Sequence, residues 1–476
     1  MARDWRDDRI AELEKEVARL IATVEQQAAR IAKLEEQVRR SSRNSSKPPS
    51  SDGPSAATRP AKRRSGRGPG GQLGHEPHGR ELEPSDKADK IVSCMPQRCA
   101  RCSAPLRGRD PAPLRHQVFD LPKIVASFIE YQLHALVCDC GHVTRAKLPP
   151  GVPSGSFGPG VVAVAALLMG VYRLSKRMVP DLLLDLFGLR MSVGAAVGCQ
   201  ELASAAMAGP VEEAKAHVVE QPVKHADETG WREGPRRTRA WMWAVATRYV
   251  VVFMIHARRN SDAARALLVR SSGVLVSDRH GAYGWWSDWM RQLCWAHLKR
   301  DVQAMIDRGG ESERIGKSLL EEIDRMFHWW HRVRDGTLTR ATFKVYMRSL
   351  RIRFEVMLEV GALCSHSKTA KTCANLLKHA CSLWTFVRVE GVEPTNNTAE
   401  QVVRHGVIIR KISYGTHSEA GSRFIERILT VHATLRRQRR DILAFLRGAC
   451  EAKLHNRPPP SLLPVASLRC QPANAA

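Results

Sequence analysis

The stretch VKHADETGW (223–231) decides the architecture of this chain. It reads as a strand that ends in a turn, with Asp227 along it. Two strands rich in β-branched and aromatic residues follow, AWMWAVA (240–246) and VVVFMIHA (250–257). Ser261 is placed to cap a helix over 262–269, and GVLVS (273–277) is a fourth strand ending at Asp278. Residues 292–295 supply a fifth. Three strands able to form a meander, a crossover helix and two more strands permit a ribonuclease-H-like mixed sheet. In that sheet the first and fourth strands lie side by side, which brings Asp227 and Asp278 together across 51 positions.

Two close carboxylates at strand ends repel one another unless a cation neutralises them. Hard oxygen ligands with open positions suit Mg2+ or Mn2+, and two such ions can hold the attacking and leaving oxygens of an in-line phosphoryl displacement. By themselves these two acids do not decide between a metal centre and ordinary strand-end caps. Further on, Asn397 or Thr398 can cap a helix carrying Glu400 and Arg404, at i and i+4 on one face. Glu400 could then face the metals with Arg404 supporting it, or the two could form a surface ion pair. Between these regions, 319–333, 343–360 and much of 370–389 are helical by pattern, an insertion that contacts DNA or is purely structural. Trp329 and Trp330 within it read as core.

Outward toward the N-terminus, 155–220 is helical and Ala-rich, a spacer or DNA-contacting region. Before it, Cys99 and Cys102 form C-x2-C, and Cys138 and Cys140 form C-x-C. Four thiolates on two tight turns suit tetrahedral Zn2+, although one intervening residue strains the second pair. Val118, Phe119, Val125, Phe128, Ile129, Leu133 and Leu136 between them read as short strands. Residues 41–80 hold eight Lys or Arg against two acids and lack apolar periodicity. Such a segment is disordered when free, and either follows phosphate backbones or is a solvated tether. The first residues carry a heptad repeat, with Ile10, Val17, Val24, Ile31 and Val38 at a, Leu13, Leu20 and Leu34 at d, and Gln27 at the remaining d. β-branched a with Leu at d favours a parallel two-stranded coiled coil, about 43 Å long over this span.

The whole chain of 476 residues has 74 Lys and Arg against 48 Asp and Glu, a formal charge of +26. That balance favours a polyanionic partner. Residues 401–476 alone carry 13 basic and four acidic side chains, densest at Arg436, Arg437, Arg439 and Arg440. The longest apolar run, 161–169, is too short to span a bilayer, and a charged N-terminus argues against a signal peptide. Twelve cysteines in so long a chain fit a reducing cytoplasm rather than a disulfide scaffold.

The strings HADETGW (225–231), SDRHGAY (277–283), CWAHLKRD (294–301) and NNTAEQVVRHGVIIRK (396–411), with NSSKPPSSD (44–52) and GGQLGHE (70–76), are in the order of one known family. The chain resembles the DDE transposase of the insertion-sequence-sixty-six family. The resemblance implies Asp227, Asp278 and Glu400 as the catalytic acids, holding two Mg2+ or Mn2+ ions. It makes His297, Lys299 and Arg300 candidates for contact with the scissile phosphate. Arg404, Arg410 and Lys411 are candidates for DNA contact or support, and His280 for a local scaffold. Gln401 stands where the family often has Arg, and the C-x-C stands where it usually has C-x2-C.

The expected fold is multidomain α+β. It comprises a coiled coil over 8–40, a basic linker over 41–85, a zinc-ribbon-like region over 90–150 and a helical spacer over 155–220. A ribonuclease-H-like core follows over 221–300 and 396–450, interrupted by the insertion 301–395 and closed by a tail, 451–476. The implied activity is cleavage of insertion-element ends and strand transfer into target DNA. The expected partners are DNA, a second copy of the chain and small accessory proteins of the same element, with no membrane. The alternatives are an inactive DNA-binding regulator and a nuclease that cuts without joining.

Overall fold

The computed structural model describes residues 5–39, 82–122, 124–268 and 271–465. The basic linker, as far as residue 81, and the two motifs within it lie outside the described residues, as does the tail from 466. The chain divides into two compact units, Ala56–Ala126 and a second made of Met1–Ser55 with Ser127–Ala476. Among the described residues no helix is long and apolar enough to cross a membrane.

Helix α1 (Trp5–Arg39) carries the heptad stripe, and its described apolar positions from Ile10 to Leu34 are open to solvent, Val17 at 53% and Val24 at 63%. Strands β1 (Ala135–Val137) and β2 (Val143–Arg145) form a small antiparallel hairpin. Of the apolar residues expected as strands around it, only Leu136 lies in a ladder; Val118, Phe119, Val125, Phe128, Ile129 and Leu133 do not. A strand needs a neighbour for its backbone groups, and Val118 and Phe128 are 82% and 90% exposed.

Helices α2 (Pro159–Gly170), α3 (Met178–Phe187) and α4 (Val193–Glu220) occupy the helical region expected over 155–220. Ser192 caps α4 by accepting from the N–H of Ala195. The small residues Ala196, Ala203, Ala206 and Ala214 are buried in the same core as Trp243, Val245 and Val252 of the sheet described next.

Five strands build that sheet: β3 (Val223–Glu233), β4 (Thr238–Ala246), β5 (Val251–His256), β6 (Val274–Ser277) and β7 (Arg291–Leu293). Their order is β5-β4-β3-β6-β7, with β3, β4 and β5 antiparallel and β3, β6 and β7 parallel. Strand β3 does not turn at its Gly but pairs with β4 as far as Glu233, because Thr229, Gly230 and Trp231 each have a partner in β4. Helix α5 (Ser261–Leu268) makes the crossover. Its first turn is capped by Asn260, one residue before the expected Ser261, through Ala263 N–H.

Side chains alternate between the two faces of the sheet. Trp243, Val245 and Val252 face α2 and α4, whereas Met242, Ala244, Ala246, Val251, Phe253 and Ile255 face the other way. The insertion comprises α6 (Trp295–Ile306), α7 (Gly310–Arg334), α8 (Arg340–Ala362), α9 (Ser367–Lys378), α10 (Ala380–Leu383) and α11 (Thr385–Arg388). Its core also takes in Val274, Val276 and Leu293 of β6 and β7, and within it Trp295 meets Phe354 and Trp384 at ring separations of 5.2 and 5.0 Å. Trp330 is buried there between Phe343 and Phe386, and Trp329 packs against its edge.

The chain closes with α12 (Asn397–Ser413), α13 (Glu419–Arg437) and α14 (Ile442–Leu454). Helix α12 lies on the second face of the sheet, with Val402, Val403 and Ile409 in its core. Gly406 permits the approach, since a Cβ there would stand 2.2 Å from Met242 Sδ. Helix α13 covers the edge strand β5. Thr434 and Thr430 accept from the N–H groups of Val251 and Phe253 at 3.0 and 3.1 Å, and Glu426 accepts from Ile255. Positions four apart on the helix thus meet alternate residues of the strand, so the free edge is satisfied rather than left as a pairing hazard.

Candidate active site

Asp227 lies opposite Ala244 in the β3–β4 register, on the face covered by α12. In the parallel β3–β6 pair, His225 is level with Val276, and Asp227 and Asp278 each lie two residues beyond that last paired position. Asp278 follows the end of β6, where its carboxylate accepts the N–H of His280 at 2.9 Å. The His280 ring in turn accepts from Ala282 N–H, so it holds this turn. Glu400 sits in the first turn of α12 on the same side of the sheet. Burial pushes the Asp227 carboxyl up to about 8, and the charges of Glu228, Asp278 and Glu400 push the same way. A carboxyl so placed is charged most readily beside a cation.

Glu400 faces neighbours from the start of α6. Its Oε1 lies 3.4 Å from His297 Nδ1 and 3.7 Å from Cys294 Sγ. The three donor atoms of Cys294, His297 and Glu400 all lie within 4.8 Å of one another, spaced as ligands of a metal could be. Burial and the Arg300 charge lower the His297 pKa, while Glu400 and Asp278 oppose them.

Asn396 joins these parts. Its amide donates to Ala226 O at 2.8 Å, its Oδ1 meets His225 Nδ1 at 3.3 Å, and its backbone N–H points at Cys294 Sγ at 3.2 Å. His225 is buried and pushed down to about 4, mainly by burial, so its ring is neutral.

The remaining basic candidates divide. Arg404 is exposed, and Glu400 turns to His297 and Cys294 rather than to it. Arg410 donates to Gly230 O at 2.6 Å and to Thr229 Oγ1, which ties α12 to β3. Lys299 pairs with Asp324 of α7, and Lys411 is exposed at the end of α12. Of the arginine cluster, Arg437 serves the carbonyls of Thr247 and Thr398, and Arg440 serves those of Ser461 and Leu463. Arg436 and Arg439 are exposed.

A model of the transposase IS66 family matches residues 156–423, more than half of the chain. The chain belongs to the IS66 transposase family. The matched segment contains the whole sheet, the insertion and all three acids. Residues 3–81 match a family of unknown function (DUF6444), and no curated protein matches the chain.

Both cysteine pairs of this chain lie outside the IS66 match. Cys99 belongs to the Ala56–Ala126 unit, Cys138 to the other. Each pair occupies a turn of its own. Ser103 N–H donates to Cys99 O at 2.9 Å, and Gly141 N–H to Cys138 O at 2.7 Å. Backbone N–H of Cys102 lowers the Cys99 pKa, and backbone N–H of Cys140 lowers that of Cys138.

Three site residues were missed in the sequence. Glu228 was inside the quoted motif, and an acid beside Asp227 was the available signal. Its side chain points to the opposite face, fully buried, held by Arg259 at 2.6 Å and by Tyr283 Oη at 2.6 Å. Cys294 was visible as C-x2-H with His297. Asn396 opens the quoted NNTAEQ string, but its contacts carried no local signal, because its partners lie 170 and 102 positions away.

Proposed function

We propose that this IS66 transposase cleaves the ends of its element and joins them to target DNA at a centre formed by Asp227, Asp278 and Glu400. The order β5-β4-β3-β6-β7, with β4 antiparallel between its neighbours, supports a ribonuclease-H-like core. The observation that carries the catalytic reading is proximity: β3 and β6 pair in parallel as far as His225 and Val276, two residues before each acid, and the charges of Asp278 and Glu400 both raise the Asp227 pKa.

The donor set suits a hard divalent ion, since the charges of Glu228, Asp278 and Glu400 all raise the Asp227 pKa. Two Mg2+ or Mn2+ ions held by these acids would stabilise the attacking and leaving oxygens of the displacement. Asp227, Asp278 and Glu400 then orient a water for attack on the end phosphodiester, which frees a 3′-hydroxyl. The same acids orient that hydroxyl for attack on a target phosphodiester, whose own 3′-oxygen leaves. Asn396 and Arg410 keep α12, and so Glu400, in register with β3.

The exposed heptad of α1 supports dimerisation, which provides two active sites for two ends. The +26 chain supports DNA as partner. The cysteine turns fit Zn2+ ligation, and a cytoplasmic location and accessory proteins complete the reading. The decisive assay is nicking of an element-end duplex with Mg2+, followed by strand transfer from pre-cut ends. Asp227→Asn is expected to abolish both and to bind DNA normally; nicking at the wild-type rate would refute its role. Cutting without joined product would make the protein a nuclease, and neither activity in the wild type would make it a DNA-binding regulator.

A further inference from the structure

Cys294, His297 and Glu400 make a donor set unlike the carboxylates beside it. Cys294 Sγ and His297 Nδ1 stand 3.7 and 3.4 Å from Glu400 Oε1. A tetrahedral ion with bonds of about 2.3 Å to sulfur and about 2.0 Å to nitrogen and oxygen would space them about 3.5 and 3.3 Å. His297 Nδ1 is buried and makes no hydrogen bond, although it faces the carboxylate. Burial and the Glu400 charge push the Cys294 thiol up to about 12, so it gives up its proton only to a cation; the Asn396 N–H at 3.2 Å and the N–H groups of His297 and Ala296 at the start of α6 work the other way. Such amides stabilise a thiolate. The side chains of His297 and Glu400 are 31% and 35% exposed, whereas Cys294 is buried, so the group opens to solvent on one side.

We propose that Cys294, His297 and Glu400 bind one thiophilic divalent cation, Zn2+ by the chemistry of the donors, with a fourth position open to water. A thiolate with an imidazole favours Zn2+, whereas Mg2+ takes oxygen ligands in octahedral geometry. On binding, the Cys294 thiol proton leaves to solvent and a metal–sulfur bond forms. Glu400 belongs to both donor sets. On the catalytic reading above, and only on it, Zn2+ here draws the third carboxylate away from the hard-ion centre.

Co2+ reports the site directly, without any DNA reaction. Full-length protein titrated with Co2+ should show a sulfur-to-cobalt charge-transfer band and tetrahedral d–d bands. Cys294→Ser should lose one equivalent of Co2+ and its share of the band, a difference that separates this site from the cysteine turns at 99–102 and 138–140. His297→Ala and Glu400→Gln, at partly exposed positions, should each weaken Co2+ and Zn2+ binding about tenfold or more. Asp227→Asn, a change in the neighbouring carboxylate centre, should leave the sulfur-to-cobalt band unchanged. Circular dichroism checks that each variant is folded. Should Cys294→Ser fail to fold, the other two variants decide alone. An unchanged stoichiometry in Cys294→Ser, or unchanged affinity in both His297→Ala and Glu400→Gln, overturns the proposal.

Discussion

Asn396 donates its side-chain amide to the carbonyl oxygen of Ala226 across 2.8 Å. Ala226 precedes Asp227, and Asn396 immediately precedes the helix that carries Glu400. One hydrogen bond therefore ties the strand of the first acid to the helix of the third. Asn396→Ala strips a partner from a buried carbonyl and from His225, which costs about 1–3 kcal/mol for each group left unsatisfied. Urea denaturation should show that loss. In the nicking assay the variant should lose activity further than its folded fraction explains. Wild-type stability would remove the clamp from the account.

Asp227 should couple stability to divalent ions. Ligands that bind only the folded state raise its stability by mass action. Saturating Mn2+ is expected to raise the wild-type Tm by several degrees. Asp227→Asn should abolish most of that gain and be at least as stable as wild type without metal, because a repelled buried carboxyl is gone. Thermal scans with and without Mn2+ measure both, and an equal shift in wild type and variant would separate Asp227 from metal binding.

Glu426 makes a pH prediction remote from the candidate metal ligands. Burial raises its carboxyl to about 7, against the opposing Ile255 N–H bond and the Arg423 charge. The folded pKa exceeds the unfolded one near 4.5, so the folded chain binds the extra proton. Its contribution is fully present below about 4.5 and is lost as pH rises through about 7. Glu426→Gln keeps an acceptor for Ile255 and cannot titrate. Relative to wild type it should gain up to ~3 kcal/mol across that window and stay level above it. Chemical denaturation at pH 5 and 8 compares the two.

Helix α1 exposes Leu20 at 54% and Val24 at 63%. A charge at a d position of a two-stranded coil is buried against its partner. Leu20→Lys should convert a dimer to a monomer in sedimentation equilibrium, with the rest of the fold intact by circular dichroism. A variant that sediments as wild type would place any dimer contact elsewhere.

The strand order and the adjacency of the strands that lead to Asp227 and Asp278 were legible because both rest on local pattern. A period of two, β-branched content and one crossover helix leave few ways to arrange five strands. Strand ends were less legible: β3 continues past Gly230 because β4 supplies a partner as far as Thr238. The apolar residues around Phe128 show the converse, since β-forming residues without a partner make no ladder.

The sequence by itself determined the heptad, the excess of positive charge, the family motifs and the two acids on paired strands, because each is written in spacing or composition. Tertiary structure alone decided what the other polar groups do. Arg437, Arg440 and Arg410 look like free cations in the chain, yet backbone carbonyls claim them in the fold. Glu400 was readable as a helix residue, but its neighbours Cys294 and His297 come from more than 100 positions away. A buried polar group must find its partner wherever packing supplies one, and that choice has no local signature.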